Sequence, residues 1–306
     1  MPHVTRVADA AERFLLPLVI VVAAVGIAFP GPGRRLDAAN GILAALAVLV
    51  FCTGASITFT DLAAVRTASR RLALVLAVTT VALPVFAWLA SRLVSGLVLR
   101  GGVLAAGVAP TEVASVALTG LAGGEAALAA GLLVGSTVVT VLLAGPILGL
   151  LGAHATTSQL GLLGTLALVV ALPLLAGSAT RTLDPLGGRE QAPLRLLGLV
   201  SLLVLLWEVA SELHLQVSDA RMVAALVLYL ACAAGLGWLL GLGVRPARRT
   251  AVLLPTAMRD FAVAAGIAAS AFGAPAAAPL GIYGILVLVF GAVAVHVIRR
   301  PRPGRA

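Results

Sequence analysis

The chain has 306 residues, 61% of them apolar and only 11% charged, with a mean hydropathy of +1.12. A soluble domain is about 45–50% apolar and about 25% charged, so this composition excludes soluble enzymes, nucleic-acid modules and secreted disulfide scaffolds and describes an all-α polytopic membrane protein. The net charge of +9 rests on arginine without a single lysine; because most of the arginines lie between apolar runs, they read as topology and not as affinity for nucleic acid.

A helix needs about 20 mainly apolar residues to cross a bilayer. In chain order such runs fall near 14–29, 38–58, 71–97, 101–121 and 125–151, then near 159–181, 191–213, 220–242, 247–271 and 275–298. The segment Met1 to Arg13 is short and of mixed charge, and the run after it reads as a retained first span, not as a signal peptide. With ten spans and the N-terminus inside, fifteen arginines fall in cytoplasmic segments and five outside, with Arg259 left inside a span. That bias places both termini in the cytoplasm of a multi-pass cell-membrane protein. The ten spans form one domain over residues 1–306, divided five and five into repeats at about 14–151 and 159–298. An odd number per half makes related halves enter the membrane in opposite senses, as inverted repeats. Cys52 and Cys232 sit inside spans and read as small buried hydrophobes.

Two spans carry signs of a break. Ala109-Pro110-Thr111-Glu112 in the fourth and Leu254-Pro255-Thr256-Ala257 in the ninth share a Pro-Thr pair at the same place in each half. Proline in a helix interior removes a backbone hydrogen bond and clashes with the preceding turn, so Pro110 and Pro255 are the expected breaks. Broken helices at corresponding places in two halves point to a transporter's binding site.

Ionisable groups inside a bilayer are costly and persist where they face a cavity or a partner. Glu112, Arg259 and Asp260 lie beside the two expected breaks, and Glu208 lies after Trp207 in the seventh span, where it is expected to reach the interface. If the fourth and ninth spans cross, two carboxylates and one arginine come together. They can share a proton while the arginine balances the other charge, or Arg259 can anchor an anionic substrate. A static ion-pair network is the competing reading. Ser115, Thr119, Ser136, Thr137 and Thr140 supply hydroxyls on the fourth and fifth spans, although such groups in membrane helices commonly bond to backbone. His154 and His296 have no partner at ligand spacing, so no metal site is expected, and no phosphate-cradling GxxxxGK[ST] sequence is present.

The segment from Phe51 to Leu62, the stretch from Ala109-Pro110 through Ala114-Ser115 to Gly124, and Met258-Arg259-Asp260 before an alanine-rich helix resemble the bile acid/sodium symporter family. The resemblance implies ten helices in a panel and a core domain, with helices 4 and 9 broken and crossing beside the substrate and sodium sites. The core would come mainly from the third to fifth and eighth to tenth spans. Carried over by position, Ser115 matches a sodium ligand of that family. Val116 stands where typical members have Asn, and hydroxyl ligands of the fifth span fall on Ala129 and Leu133. The ninth-span Glu aligns with Pro255 and its neighbouring Gln with Arg259, while Thr79 stands where another polar ligand would be.

These readings together give a secondary transporter of a small organic anion, without a cofactor, working by alternating access with a proton or sodium as coupling ion. Glu112 and Asp260 are the expected coupling carboxylates, Arg259 the substrate anchor or charge balance, and Ser115, Thr111 and Thr256 the polar lining of the crossover. A binding or sensing protein on the same scaffold and an arsenite or metalloid efflux permease are the alternatives. An intramembrane enzyme would need a metal-ligand or nucleophile-base set that the spans lack.

Overall fold

The computed structural model describes residues 15–37, 40–55, 70–153, 157–183, 191–212 and 219–299. The part of the Phe51–Leu62 segment after Ala55 lies outside the described residues, as do His154, Arg6, Arg13, Arg66, Arg189, Arg300, Arg302 and Arg305. The helices are α1 (Leu15–Ala28), α2 (Pro30–Asp37), α3 (Gly41–Gly54), α4 (Arg70–Ser91), α5 (Leu97–Val108), α6 (Ala114–Leu121), α7 (Ala126–Leu150), α8 (Gln159–Leu183), α9 (Gln191–Ser211), α10 (Asp219–Leu240), α11 (Pro246–Ala257), α12 (Phe261–Phe272) and α13 (Ala278–Arg299). A 3₁₀ turn, Ala274–Ala277, leads into α13. Among the described residues no strand forms, and the sole β-type pairing is one isolated bridge.

Among the described residues six helical stretches are long and apolar enough to cross a membrane: α4, α7, α8, Ala192–Ser211, Ala220–Leu240 and Ala274–Arg299. Pro17–Ala28, α3, α5 and α12 are apolar but shorter. The expected fourth and ninth spans are each two helices, α5 with α6 and α11 with α12. Val81, Leu97, Leu150 and Leu160 point outward and are exposed. A soluble surface would be burdened by such residues, whereas hydrocarbon accepts them.

Local chemistry explains several of these elements. Ser158 caps α8 by accepting the Gly161 N–H at 3.1 Å. Within α8 the ladder widens into a π turn at Ala167–Ala171, next to Pro173, whose missing N–H breaks the regular pattern. At the start of α4 the Arg71 guanidinium donates to Leu240 O at 3.0 Å and Leu242 O at 3.1 Å, capping the negative end of α10.

The helices sort into two packed groups. α1, α2, α3, α8 and α9 touch chiefly one another; α4 to α7 pack with α10 to α13. Between the groups, α12 meets α3 and α9, α8 meets α7, and α13 meets α1 and α9. Glycines set the closest approaches. Gly54 and Gly177 bring α3 and α8 into backbone contact, and a Cβ on either would strike the other helix's main chain. Glu208 is 1% exposed and packs beside Gly41 at the start of α3, covered by protein.

Candidate functional site

The first break follows from Pro110. A residue before proline is driven out of the helical region, and Ala109 is extended at φ −62°, ψ 155°, directly after α5 ends at Val108. The second break corrects the sequence reading, because Pro255 stays inside the last turn of α11. The chain leaves the helix three residues later, at Met258 (φ −91°, ψ 106°), and re-enters at Phe261. Asp260 sets that restart: its Oδ1 accepts the Val263 N–H at 2.9 Å, an N-cap for α12.

The two extended segments cross as an antiparallel pair. Glu112 N donates to Met258 O at 2.9 Å and Asp260 N to Pro110 O at 2.8 Å, flanking the Thr111–Arg259 bridge. These bonds interchange when the two segments are exchanged, which makes Thr111 the counterpart of Arg259 and Glu112 the counterpart of Asp260. Thr111 and Thr256, matched by the Pro-Thr pairs in the sequence, are not structural counterparts. Thr111 Oγ1 instead donates to Pro255 O at 3.1 Å, and Thr111 N donates to Ser136 Oγ at 2.9 Å. Thr111→Val is expected to lower stability by about 1–2 kcal/mol, because a buried carbonyl loses its hydroxyl donor. Thermal unfolding of the purified variant checks this.

Extended backbone sends successive side chains to opposite sides. Arg259 and Asp260, adjacent in sequence, therefore part company. Glu112 and Asp260 line a cavity of about 560 Å³ between α3, α8 and α9 on one side and α6, α7, α12 and α13 on the other. Arg259 lies instead beside a small cleft among α4, α5 and α7, where its guanidinium donates to Ala109 O. Among the described residues no ion pair joins it to a carboxylate; the pair present is the exposed Arg248–Glu125 contact at 2.9 Å, worth little in water.

The large cavity has mostly apolar walls and a few polar groups, the usual composition of a small-molecule site. The first turns of α6 and α12 border it through Val113, Ala114, Ala262 and Val263. Two positive helix ends thus face one space, a setting that favours anions. Glu112 is 8% exposed and its Oε2 has no hydrogen-bond partner. Arg195, an exposed residue near the start of α9, lines the same cavity. By sequence it is one of the fifteen arginines of the expected cytoplasmic segments.

The hydroxyls divide by role. Ser136 and Thr137 donate to Leu133 O, and Thr140 to Val108 O across to α5. Thr79 bonds to its own helix. Ser115, Thr119 and Thr256 are buried, and their oxygens have no partner. None of Thr111, Ser115 and Thr256 lines the large cavity. Two buried tyrosines beside the crossover could not be placed there from sequence. Tyr229 and Tyr283 are fully buried with ring centroids 5.8 Å apart; Tyr229 Oη donates to Ala106 O at 3.1 Å and Tyr283 Oη accepts from Arg259 N at 3.4 Å. The available signal was that they are the chain's two tyrosines, each inside an apolar run, where a phenol needs a partner. Among the described residues no group of His, Cys, Asp and Glu could hold a metal ion.

Comparison with known proteins gives one family. The model of the Sodium Bile acid symporter family matches residues 43–219, more than half of the chain, from α3 to the first residue of α10. The match includes the first break, Glu112 and Ser115, and stops before Arg259 and Asp260. No curated protein matches the chain.

Proposed function

The chain belongs to the sodium bile acid symporter family, and from that premise we propose that it carries a small organic anion across the membrane together with protons, by alternating access. It is a multi-pass membrane transport protein. In this reading α1, α3, α8 and α9 form a panel, and α4 to α7 with α10 to α13 form a core. The ten crossings are two inverted halves of five, and both termini lie in the cytoplasm of a cell whose plasma membrane holds the protein. The extended breaks after α5 and after α11, one in each half, support the inverted relation.

The observation that carries the function is the pairing of two carboxylates with two helix N-termini on the wall of one cavity. The helix ends attract an anion, while two ionised carboxylates repel it. An anion therefore enters favourably when Glu112 or Asp260 has taken up a proton. Release of the anion on the other side takes away the negative charge that favoured the protonated carboxyl, so the proton follows it out, which couples the two fluxes. Arg195 lines the cavity near one end of α9 and draws the anion inward. The apolar walls suit the hydrocarbon part of the substrate.

The test uses purified protein in liposomes that contain a pH-sensitive dye, with taurocholate and a set of short-chain carboxylates as probes. Acidification of the lumen driven by the added anion is expected, beyond that of protein-free liposomes. If these anions enter at a rate indifferent to the proton gradient, the coupling is wrong; if none enters at any pH, the substrate class is wrong. Arg195→Ala is expected to raise the half-saturating concentration of the transported anion a few-fold, since one exposed positive charge is removed from the cavity wall.

A further inference from the structure

The C-terminal ends of broken helices are where membrane transporters hold coupling cations, because the last turn leaves carbonyls without intrahelical partners and carries the negative end of the helix dipole. In this protein several of those carbonyls are occupied by the chain's own donors. At the end of α5, Tyr229 Oη bonds to Ala106 O, Thr140 Oγ1 to Val108 O, and the Arg259 guanidinium to Ala109 O. At the end of α11, Thr111 Oγ1 bonds to Pro255 O and Glu112 N to Met258 O.

One of these donors carries a full charge. Arg259 is 6% exposed, and arginine keeps its proton in proteins. A buried cation without an ion-pair partner persists where dipoles take the partner's place. The α5 end supplies them, together with the cleft whose polar wall is Thr79, Thr80, Ser136 and Thr140. Arg259 Nε has no hydrogen-bond partner, so the group is held by its Nη2 bond to Ala109 O and by charge, not by a closed network. Glu112 and Asp260 lie on the other side of the crossover, along the large cavity.

We propose that Arg259 is a tethered cation: its guanidinium takes the place at the α5 C-terminus that a free monovalent cation takes in other broken-helix transporters, and the protein works without sodium. The inference rests on the transporter reading for its meaning. Its test measures no flux, so failure of proton-coupled uptake and failure of this assignment remain distinguishable.

The experiment follows thermal unfolding of the purified protein in detergent, in sodium chloride and in N-methylglucamine chloride at equal ionic strength. Wild type is expected to unfold at the same temperature in both. Arg259→Ala is expected to unfold earlier in N-methylglucamine and to recover by about 3 °C on addition of guanidinium chloride at tens of millimolar, or of sodium, as a vacated cation site fills. Arg259→Lys keeps a tethered charge and is expected to ignore sodium. A sodium-specific rise in wild type overturns the proposal. So does folded Arg259→Ala protein that responds to neither cation more than wild type does. If the alanine variant does not fold, Arg259→Lys decides: indifference to sodium supports the proposal, and a sodium-dependent rise overturns it.

Discussion

Glu112→Gln is expected to reduce proton-driven anion uptake at least about tenfold, a change of about 1.4 kcal/mol or more, while leaving the protein folded. Glutamine keeps the shape of the side chain and loses the site for the proton, and the Glu112 backbone N–H that bonds Met258 O is untouched. Asp260→Asn is expected to act in the same direction. Asparagine caps a helix about as well as aspartate, so α12 should keep its start and the loss should be of coupling alone. Asp260→Ala removes carboxylate and cap together and is expected to cost about 1 kcal/mol of stability in addition. The measurement is initial uptake as a function of pH in liposomes, beside thermal unfolding of each variant. With both carboxylates neutralised, the dependence of uptake on pH should flatten. Wild-type pH dependence in the double variant would remove these residues from the coupling step.

Gly177→Ala is expected to be the most damaging small substitution outside the crossover, lowering stability by about 1–3 kcal/mol. The added methyl would meet Phe51 O and the backbone of Gly54 and Ala55. These are main-chain atoms that no rotamer change can move, so α3 and α8 must separate. Separation also strains the Ser178 Oγ–Gly54 O hydrogen bond of 3.2 Å. Gly235→Ala in α10 is the control. Nothing lies within 4 Å of its added Cβ, and alanine favours the helix by up to about 1 kcal/mol, so that variant should match or exceed wild type. Unfolding midpoints of the two proteins in detergent check both statements. Because α3 and α8 each wall the large cavity, through Leu49, Val50 and Thr53 and through Val170 and Leu174, Gly177→Ala should also weaken anion binding.

The helical, membrane-embedded class could be read from hydropathy, since burying every backbone group without water leaves helices or closed barrels as the spanning forms. The first break was legible for a local reason: proline restricts the residue before it, and Ala109 obeyed. The second was misplaced. Proline also breaks a ladder from inside a helix, so Pro255 looked like the break, whereas Asp260, a capping residue, was the true marker. The importance of Glu112, Arg259 and Asp260 followed from the cost of charge in a bilayer.

Tertiary structure alone decided which of these charges meet. Arg259 and Asp260 are neighbours in sequence, and a helical reading keeps them on nearby faces; pairing with Pro110–Glu112 extends the backbone and turns them to opposite sides. The same pairing makes Glu112 and Asp260 counterparts on one cavity wall and puts Arg259 at the end of α5. Arg195 joined the cavity only because α9 packs against α3. Composition and local capping are properties of short stretches, and the sequence by itself determined them. The cavity is made by segments more than a hundred residues apart in the chain, and the long-range hydrogen bonds that join them decided which side chains face it.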